Sequence, residues 1–418
     1  MSCSYGMSLD GLIMGKAMIT RADKGKTTVI VDIEDYNSKT LDFINNNNYK
    51  TLNTDPIIKY QKHVKESLKH CNMIINKKQT KFLTQNKTQA PKLKVQIKLH
   101  KPGNPVPPVV NNTNAPAHKL AKFLTKTLKE YLPLAYQYNV NSTTLAQDLK
   151  QLKLNNNHRL ITFDIKDLYV NIPTTETLNI AKSMLDTQNN HNTTQQILQL
   201  LHTTLQQNYF TFDNIIYEPT TGIAMGSPLS NDIAEIFLQY HEQSQLKHLM
   251  ENRTIEYYTR YVDDIFIIYN TEHTNMETIN HYINSVHPNL TFTPTQEHHK
   301  TISFLDLHIT RKNDTLDINI YRKPTATDTT INYYSNHPTE QKLAAYRFLI
   351  NRIVLTPPHT IQPKQRMVKN TNNSPKQQFP NPTNTQTQDQ NAQQTENKNN
   401  QTRQQPPMDH IHILRPKN

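Results

Sequence analysis

The sequence predicts an α+β protein that ends in a long polar tail. From His158 to about Arg322, apolar runs rich in β-branched and aromatic residues alternate with segments whose apolar residues recur at helical spacing. A further helix is predicted over residues 341–355. After Pro357 the chain is mostly Asn, Gln, Thr and Pro, which cannot offset the entropy cost of ordering. Residues 358–418 are therefore predicted to be disordered.

Composition limits the kind of molecule that the protein binds and the cellular compartment in which it works. The 418 residues allow two or three domains, and the formal charge of +12 favours a polyanion, either nucleic acid or an anionic membrane. No apolar run approaches the ~20 residues that span a bilayer, and no secretory signal is recognisable. The only cysteines, Cys3 and Cys71, exclude a disulfide framework and fit a reducing compartment. We therefore expect a nuclear or cytoplasmic protein that does not bind membranes.

The most informative segment is Tyr-Val-Asp-Asp at residues 261–264. It lies between two predicted strands, residues 258–262 and 265–269, so the carboxylates fall at a hairpin turn. Two adjacent acids at a turn concentrate negative charge in a small volume, which divalent cations would stabilise. Asp-Asp also occurs in ordinary turns, because Asp tolerates turn conformations. The tetrapeptide alone leaves both interpretations open.

A third carboxylate, Asp164, lies 99 positions before Asp263. It falls near the end of a predicted buried strand, residues 159–165, and a helix is predicted to begin near Thr174. A carboxylate in an apolar strand is costly unless it binds a cation or is paired. A capping or turn role is the alternative.

Two glycines mark a loop before a predicted helix. The chain has 7 glycines, and the only ones after Gly103 are Gly222 and Gly226. This indicates a backbone that bends sharply or approaches a ligand closely. Ser227 is predicted to be the helix N-cap, with Pro228 at the first helical position, an arrangement that suits a nucleotide or nucleic-acid strand. An ordinary tight turn is the alternative. One face of the helix is predicted to carry Leu229, Ile233, Phe237 and Tyr240.

In their order along the chain, these segments resemble the motifs of reverse transcriptases. Residues 163–173 resemble motif A, residues 222–230 motif B and residues 261–264 motif C, while residues 303–309 resemble the primer grip. Further segments are similar to Penelope-like retroelement polymerases: Ala-Asp-Lys-Gly at 22–25, Ala-His-Lys-Leu-Ala-Lys at 117–122, Tyr-Arg-Lys-Pro-Thr-x-x-Asp at 321–328 and His-Pro at 337–338. The resemblance covers residues from about 20 to 355.

The resemblance implies a right-hand polymerase with fingers, a ferredoxin-like palm and a short thumb. The fingers would occupy residues 1–157, the palm with motifs A to E residues 158–325, and a partial thumb residues 326–357. The expected activity is that of an RNA-directed DNA polymerase of a retroelement. Its partners would be an RNA template, a DNA primer and dNTPs, and the reaction would join a dNTP to the primer 3′ hydroxyl.

The same resemblance assigns the metal ligands. Asp164 and Asp263 are expected to bind both of two Mg²⁺ ions, with Mn²⁺ as an alternative metal. Asp264 would be a supporting ligand, and the Ile165 carbonyl a further one. Two such ions, about 3.5–4 Å apart, neutralise the charge that develops on the attacking and leaving oxygens of phosphoryl transfer.

The nucleotide-binding residues are also implied by the resemblance. Tyr169 would block the ribose 2′-hydroxyl, with core packing as the alternative role. Gly226 and Ser227 would lie beneath the template base or the incoming nucleotide. Lys98 and Lys101 would clamp the triphosphate. A sixth residue, Lys300, is a candidate general acid for the departing pyrophosphate, with a solvated loop lysine as the alternative.

Three departures from the family pattern bear on activity. Residues 107–110 are Pro-Pro-Val-Val where relatives carry Arg-Pro-Ile-Val, which removes a bidentate phosphate contact. Met225 replaces a common glutamine, and no Gly-Ile-Tyr or Tyr-Ile-Gly nuclease motif is present. The expectation is a truncated copy, with an endonuclease-lacking relative as the alternative. An inactive remnant that only binds nucleic acid, and a viral RNA-dependent RNA polymerase, are the competing functions.

Overall fold

The computed structural model describes residues 12–14, 16–23, 28–47, 49–99, 108–132, 134, 140–322, 330–355 and 411–414. The strands are β1 Leu12–Met14, β2 Ala17–Arg21, β3 Thr28–Asp32, β4 Tyr49–Leu52, β5 Lys92–Val95, β6 Pro108–Asn111, β7 His158–Ile165, β8 Phe210–Phe212, β9 Ile215–Pro219, β10 Ile255–Tyr261, β11 Asp264–Asn270, β12 Phe292–Gln296, β13 Thr301–Phe304, β14 Leu307–Lys312, β15 Thr315–Ile320 and β16 Ile411–Leu414.

The helices are α1 Ile33–Asn46, α2 Ile57–His70, α3 Lys77–Leu83, α4 His118–Tyr131, α5 Ser142–Gln151, α6 Leu168–Asn171, α7 Thr174–Asp186, α8 His191–Leu205, α9 Ser230–His241, α10 Lys247–Glu251, α11 Met276–Ser285 and α12 Thr339–Leu355, with a π-helical turn, Glu242–Leu246, between α9 and α10. Several helices begin where an asparagine side chain accepts a hydrogen bond from a first-turn backbone N–H, which stabilises a helix by about 0.5–2 kcal/mol. These N-caps are Asn76, Asn141, Asn190 and Asn275. No helix among the described residues is long and apolar enough to cross a membrane.

The central sheet is antiparallel, with strand order β10-β11-β7-β12. Successive side chains of a strand point to opposite faces, and here both faces are covered. Ile161, Phe163 and Ile165 of β7 join the main core with α4, α7, α8, α9 and α11. Leu160 joins the second core, which contains α5 and the sheet β13-β14-β15. This two-sided burial explains why the predicted strands are nearly continuous apolar runs.

Alternation along β7 and β11 places the acids on one face. Asp164 shares its face with Leu160, and Asp264 shares its face with Phe266 and Ile268, all of which belong to the second core. The acids therefore lie at one end of the face opposite to the helices α7 and α9. The predicted strand at 159–165 and the predicted helix start at Thr174 are confirmed by β7 and α7.

A five-stranded sheet draws strands from distant parts of the sequence. Its order is β4-β9-β8-β5-β6, so residues 210–219, predicted to belong to the palm, pair with strands from the predicted fingers segment. One sheet therefore contains strands from both sides of the predicted boundary at residue 157. The cause is long-range strand pairing, which a continuous assignment along the chain does not detect.

The C-terminal part of the chain contains one predicted helix and one strand that was not predicted. The helix predicted at 341–355 is confirmed as α12, from Thr339 to Leu355. Within the segment predicted to be disordered, Ile411–Leu414 form β16, which pairs in parallel with β3. The remainder of that segment lies outside the described residues.

Candidate active site

The β10–β11 hairpin closes with a two-residue turn made of Val262 and Asp263. Tyr261 pairs with Asp264, and Val262 has a φ of 58° while Asp263 has a negative φ. A positive φ at the first turn position alone is the pattern of a type II′ turn, which matches the twist of the flanking strands. For a β-branched residue this φ is a conformational outlier that costs on the order of 1–3 kcal/mol. The turn is therefore strained and is held by its surroundings.

The structure brings the backbones of the three predicted acids together. Asp264 of β11 is the direct cross-strand partner of Asp164 on β7. Opposite residues of this kind have Cβ atoms about 4.5–5.5 Å apart. Asp263 adjoins both, because its carbonyl accepts a 3.0 Å hydrogen bond from the Ile165 N–H. Like charges in direct opposition destabilise a sheet, and an all-oxygen donor set is the type that Mg²⁺ prefers. The chemistry of these side chains therefore suits Mg²⁺, and in this structure their carboxylate oxygens do not all lie within 4.8 Å of one another.

Tyr169, on the short helix α6, lies beside the turn formed by Val262 and Asp263, called the carboxylate turn below. Burial first, and then the charges of Asp263 and Glu235, raise the pKa of its hydroxyl. The hydroxyl donates to the Asn231 Oδ1 on α9, and the Tyr169 carbonyl accepts the Ile223 N–H at 2.8 Å. The half-buried ring also packs against the main core. Tyr169 is thus fixed next to the acids, and its role toward the sugar stays a prediction.

The two glycines of the loop at 222–230 allow close backbone approaches within the protein. Gly222 has a φ of +83°, and a Cβ there would lie 2.4 Å from the Val170 carbonyl oxygen. Gly226 has a φ of +108°, and its Cβ would lie 2.5 Å from the Val110 carbonyl oxygen. The Val110 N–H also donates to the Met225 carbonyl at 2.9 Å. The loop packs between α6 and β6, so the close approach predicted for its two glycines is an approach to the backbone of the protein itself.

The prediction that Ser227 caps the following helix is wrong. Helix α9 begins at Ser230, with Leu229 as an N-cap that makes no side-chain capping bond. The Ser227 carbonyl instead accepts the Ser230 N–H at 3.2 Å, so an extra turn precedes the helix. Leu229, Ile233 and Phe237 are buried as predicted, but Tyr240 is 44% exposed.

Of the three predicted lysines, Lys98 and Lys300 are among the described residues. Lys98 lies in the connection between β5 and β6, and Lys101 is outside the described residues. Lys300 lies in the turn after β12, where the Glu297 N–H donates to the Leu160 carbonyl. That turn is about 13 Å along β7 from Asp164, at 3.3 Å per residue. The role of Lys300 as the general acid stays a prediction.

Sequence reasoning missed Arg260, which directly precedes the Tyr-Val-Asp-Asp segment. Its side chain is 1% exposed and forms ion pairs with Glu235 and Glu242. Two signals pointed to this network: an arginine within an apolar strand, and two glutamates seven residues apart on a predicted helix.

A second polar cluster links three helical segments. The Glu176 carboxylate on α7 is 3.1 Å from the His287 Nε2 and 3.7 Å from the His241 Nε2. The His287 Nδ1 accepts the Asn289 N–H at 3.1 Å, so the ring proton resides on Nε2, which donates to Glu176. A protonated Nε2 is not a metal ligand. The cluster therefore joins α7 to the segment after α11 by a hydrogen bond, and the buried His241 Nε2 at the end of α9 lies near Glu176 without a hydrogen bond to it.

Stability is expected to fall below pH about 6.5. Burial first, and then the His287 charge, lower the pKa of His241, and burial and Lys122 lower that of His118. As the pH falls through the unfolded value of about 6.5, the unfolded chain takes up protons before the native protein does. The contribution of the two neutral histidines to the free energy of unfolding is therefore complete above pH about 6.5 and declines below it. Urea denaturation at pH 7.5 and 5.5 should show a smaller loss for His118→Gln plus His241→Gln than for wild type, with exposed His281→Gln as control. An unchanged loss in the double variant would contradict this assignment.

Comparison with known proteins identifies the fold. No protein-family model matches the chain, and no curated protein matches it. The telomerase of Candida albicans, solved in complex with a TWJ fragment of telomeric RNA, superimposes with a TM-score of 0.52 and 11% identity over 75% of this chain. The apo telomerase of Candida tropicalis gives a TM-score of 0.48 and 11% identity over 73% of this chain. The chain spans 56% of each telomerase chain. The similarity to the first establishes a right-hand polymerase fold.

Proposed function

We propose that this protein is an RNA-directed DNA polymerase that joins dNTPs to the 3′ hydroxyl of a DNA primer on an RNA template. The observation that carries the proposal is the cross-strand pairing of Asp264 with Asp164, next to Asp263, in a right-hand polymerase fold. The net charge of +12 supports a polyanionic partner. The TWJ fragment of telomeric RNA bound to the Candida albicans telomerase supports RNA as a partner.

The chain's own residues would supply positioning. Asp164, Asp263 and Asp264 would hold two Mg²⁺ ions, which when bound neutralise the charge on the attacking and leaving oxygens. Each acid lies on, or directly beside, a strand that is buried on both faces, so the backbone that carries the acids is held in place before substrate binds. Tyr169, fixed beside Asp263, would restrict the sugar. Gly226 would keep the loop against β6, beneath the base pair.

The finer proposal is a retroelement polymerase of the Penelope-like type. Its support is the sequence of residues 117–122, which form the start of α4 with Ala117 as its N-cap. Ala117, Leu120 and Ala121 are buried in the main core. The segment at 321–328 belongs to the same resemblance, and residues 323–329 lie outside the described residues.

Primer extension tests the activity. Wild-type protein with Mg²⁺, a DNA primer and an RNA template should incorporate dNTPs, and Asp263→Asn plus Asp264→Asn should not. Equal incorporation by both proteins, or none by either, would refute the proposal. Competing NTPs against dNTPs separates it from an RNA-dependent RNA polymerase, because Tyr169 should exclude the ribonucleotides.

A nucleic-acid-binding remnant is the second candidate. It is favoured by the prolines at 107 and 108, which stand where relatives have an Arg-Pro pair and precede the β6 residues that contact the loop at 222–230. This function predicts RNA affinity that falls steeply with salt, as expected for contacts to phosphates, without any incorporation. Filter binding over a salt series, run on the same preparations as primer extension, separates the two candidates.

A further inference from the structure

The Arg260 guanidinium is buried beneath the carboxylate turn, and its full hydrogen-bonding capacity is used. A guanidinium has five N–H donors. Nε donates to Glu242 at 2.6 Å, Nη1 to Glu235 at 2.8 Å, and Nη2 to Glu235 at 2.9 Å and to Glu242 at 3.1 Å. The remaining Nη1 donor reaches the Val262 carbonyl oxygen at 3.0 Å. One donor of an otherwise carboxylate-bound arginine is thus directed at the turn.

The two glutamates fix where the guanidinium lies. Glu235 and Glu242 are seven residues apart, which is two helical turns, so both project from the same side of α9 and its π-helical extension. Gln239, on the same side, donates to Glu235 at 3.0 Å, and the Tyr258 hydroxyl donates to Glu242 at 2.6 Å. The Arg260 side chain is therefore held by side chains of α9 and its π-helical extension, which pack against the central sheet that carries the three acids.

Stability alone does not account for this network. Removing a charged triad from water is costly, and replacing buried ion pairs with apolar residues of similar volume is often neutral or stabilising. A network of this kind is explained better by what it positions.

The element that it positions is the strained turn. The Val262 carbonyl is held by Arg260, and the Asp263 carbonyl accepts the Ile165 N–H at 3.0 Å. The two carbonyls of the turn are thus anchored on opposite sides, one to α9 through Arg260 and one to β7. Two anchored peptides fix the Cα–Cβ direction of Asp263, the residue between them.

We propose that Arg260 is a positioning residue, which holds the Val262 carbonyl so that the Asp263 carboxylate points into the cation site with Asp164 and Asp264. Its consequence for catalysis rests on the proposed polymerase function. The metal affinity of the carboxylates does not, and it can be measured without substrate.

The informative variant is Arg260→Lys. Lysine keeps the charge, but its single ammonium cannot reproduce the planar fork that serves two carboxylates and a carbonyl. Mn²⁺ binding is measured by electron paramagnetic resonance, and Asp164→Asn, which lacks a complete site, gives the baseline. Arg260→Lys should bind Mn²⁺ at least about 10-fold more weakly than wild type, the loss that follows when supporting contacts of a metal site are removed. In primer extension, the Mg²⁺ concentration for half-maximal rate should rise by a similar factor.

The matched control is Tyr258→Phe, which removes one hydrogen bond to Glu242 and leaves all five guanidinium contacts. It should bind Mn²⁺ like wild type. If Arg260→Lys does not fold, the triple variant Arg260→Met, Glu235→Met and Glu242→Leu replaces the network with apolar packing and should show the same loss of affinity.

Wild-type Mn²⁺ affinity in Arg260→Lys or in the triple variant, or an equal loss in Tyr258→Phe, would overturn the inference. Weakened Mn²⁺ binding together with no incorporation by wild type would leave the inference standing and refute the polymerase function. Incorporation by wild type, together with an unchanged Mg²⁺ requirement in Arg260→Lys, would refute the inference about Arg260 and leave the polymerase function standing.

Discussion

Asp164→Asn is expected to remove primer extension and, at the same time, to stabilise the metal-free protein. Asp164 lies directly opposite Asp264 in the β7–β11 pair, and like charges in that arrangement destabilise a sheet. Replacing one carboxylate with a neutral amide of the same shape removes the repulsion. The gain should be about 0.2–1 kcal/mol in the free energy of unfolding, the range measured for cross-strand pairs.

The loss of activity should be far larger than this gain. Even the outer partners of a bound metal affect activity by about 10–100-fold, so the loss of a direct carboxylate ligand should exceed about 100-fold. The amide oxygen carries no charge to hold the cation. Added Mg²⁺ should therefore raise the Tm of wild type and leave that of the variant unchanged.

Asp167→Asn is the matched control. Asp167 is an exposed acid three residues further along the same segment, with a φ of 49° that asparagine tolerates. It should retain primer extension and the Mg²⁺-dependent rise in Tm. Lower metal-free stability in Asp164→Asn than in Asp167→Asn, measured in EDTA by urea denaturation, would contradict the repulsion argument.

The parts of the fold that the sequence predicted are those set by local pattern. The apolar run of β7, the hairpin around the carboxylate turn and the start of α7 after Pro173 all follow from residues within about ten positions. The pairing of the β8–β9 hairpin with β4 and β5 was not predicted, because these partners lie more than one hundred residues earlier. No local periodicity records that pairing.

The candidate site shows the same limit at the level of single residues. Asp164, Asp263 and Asp264 were found because carboxylates in strands and turns carry a recognisable cost. Arg260 was missed, since its partners are on a helix whose packing against β10 cannot be read from the sequence. The role of Lys300 stays a prediction, because a basic residue in a loop has no local pattern that fixes its distance from a site.

Gly226→Ala should have the second-largest effect, on both stability and activity. The residue has a φ of +108°, a conformation that costs an L-residue on the order of 1–3 kcal/mol. The new methyl group would also lie 2.5 Å from the Val110 carbonyl oxygen. Because that atom belongs to the backbone of β6, the contact can be relieved only by moving the loop or the strand.

Moving the loop would break the 2.9 Å hydrogen bond from the Val110 N–H to the Met225 carbonyl, which joins the loop to the neighbouring sheet. The base-pair site proposed for Gly226 would then lose its support, so primer extension should fall by more than the unfolded fraction explains. Gly222→Ala provides a comparison, because its methyl group would contact Val170 of α6 and displace the other side of the loop. Exposed Thr221→Ala should change neither property. Wild-type extension by folded Gly226→Ala would show that contact with β6 is not needed for nucleotide addition.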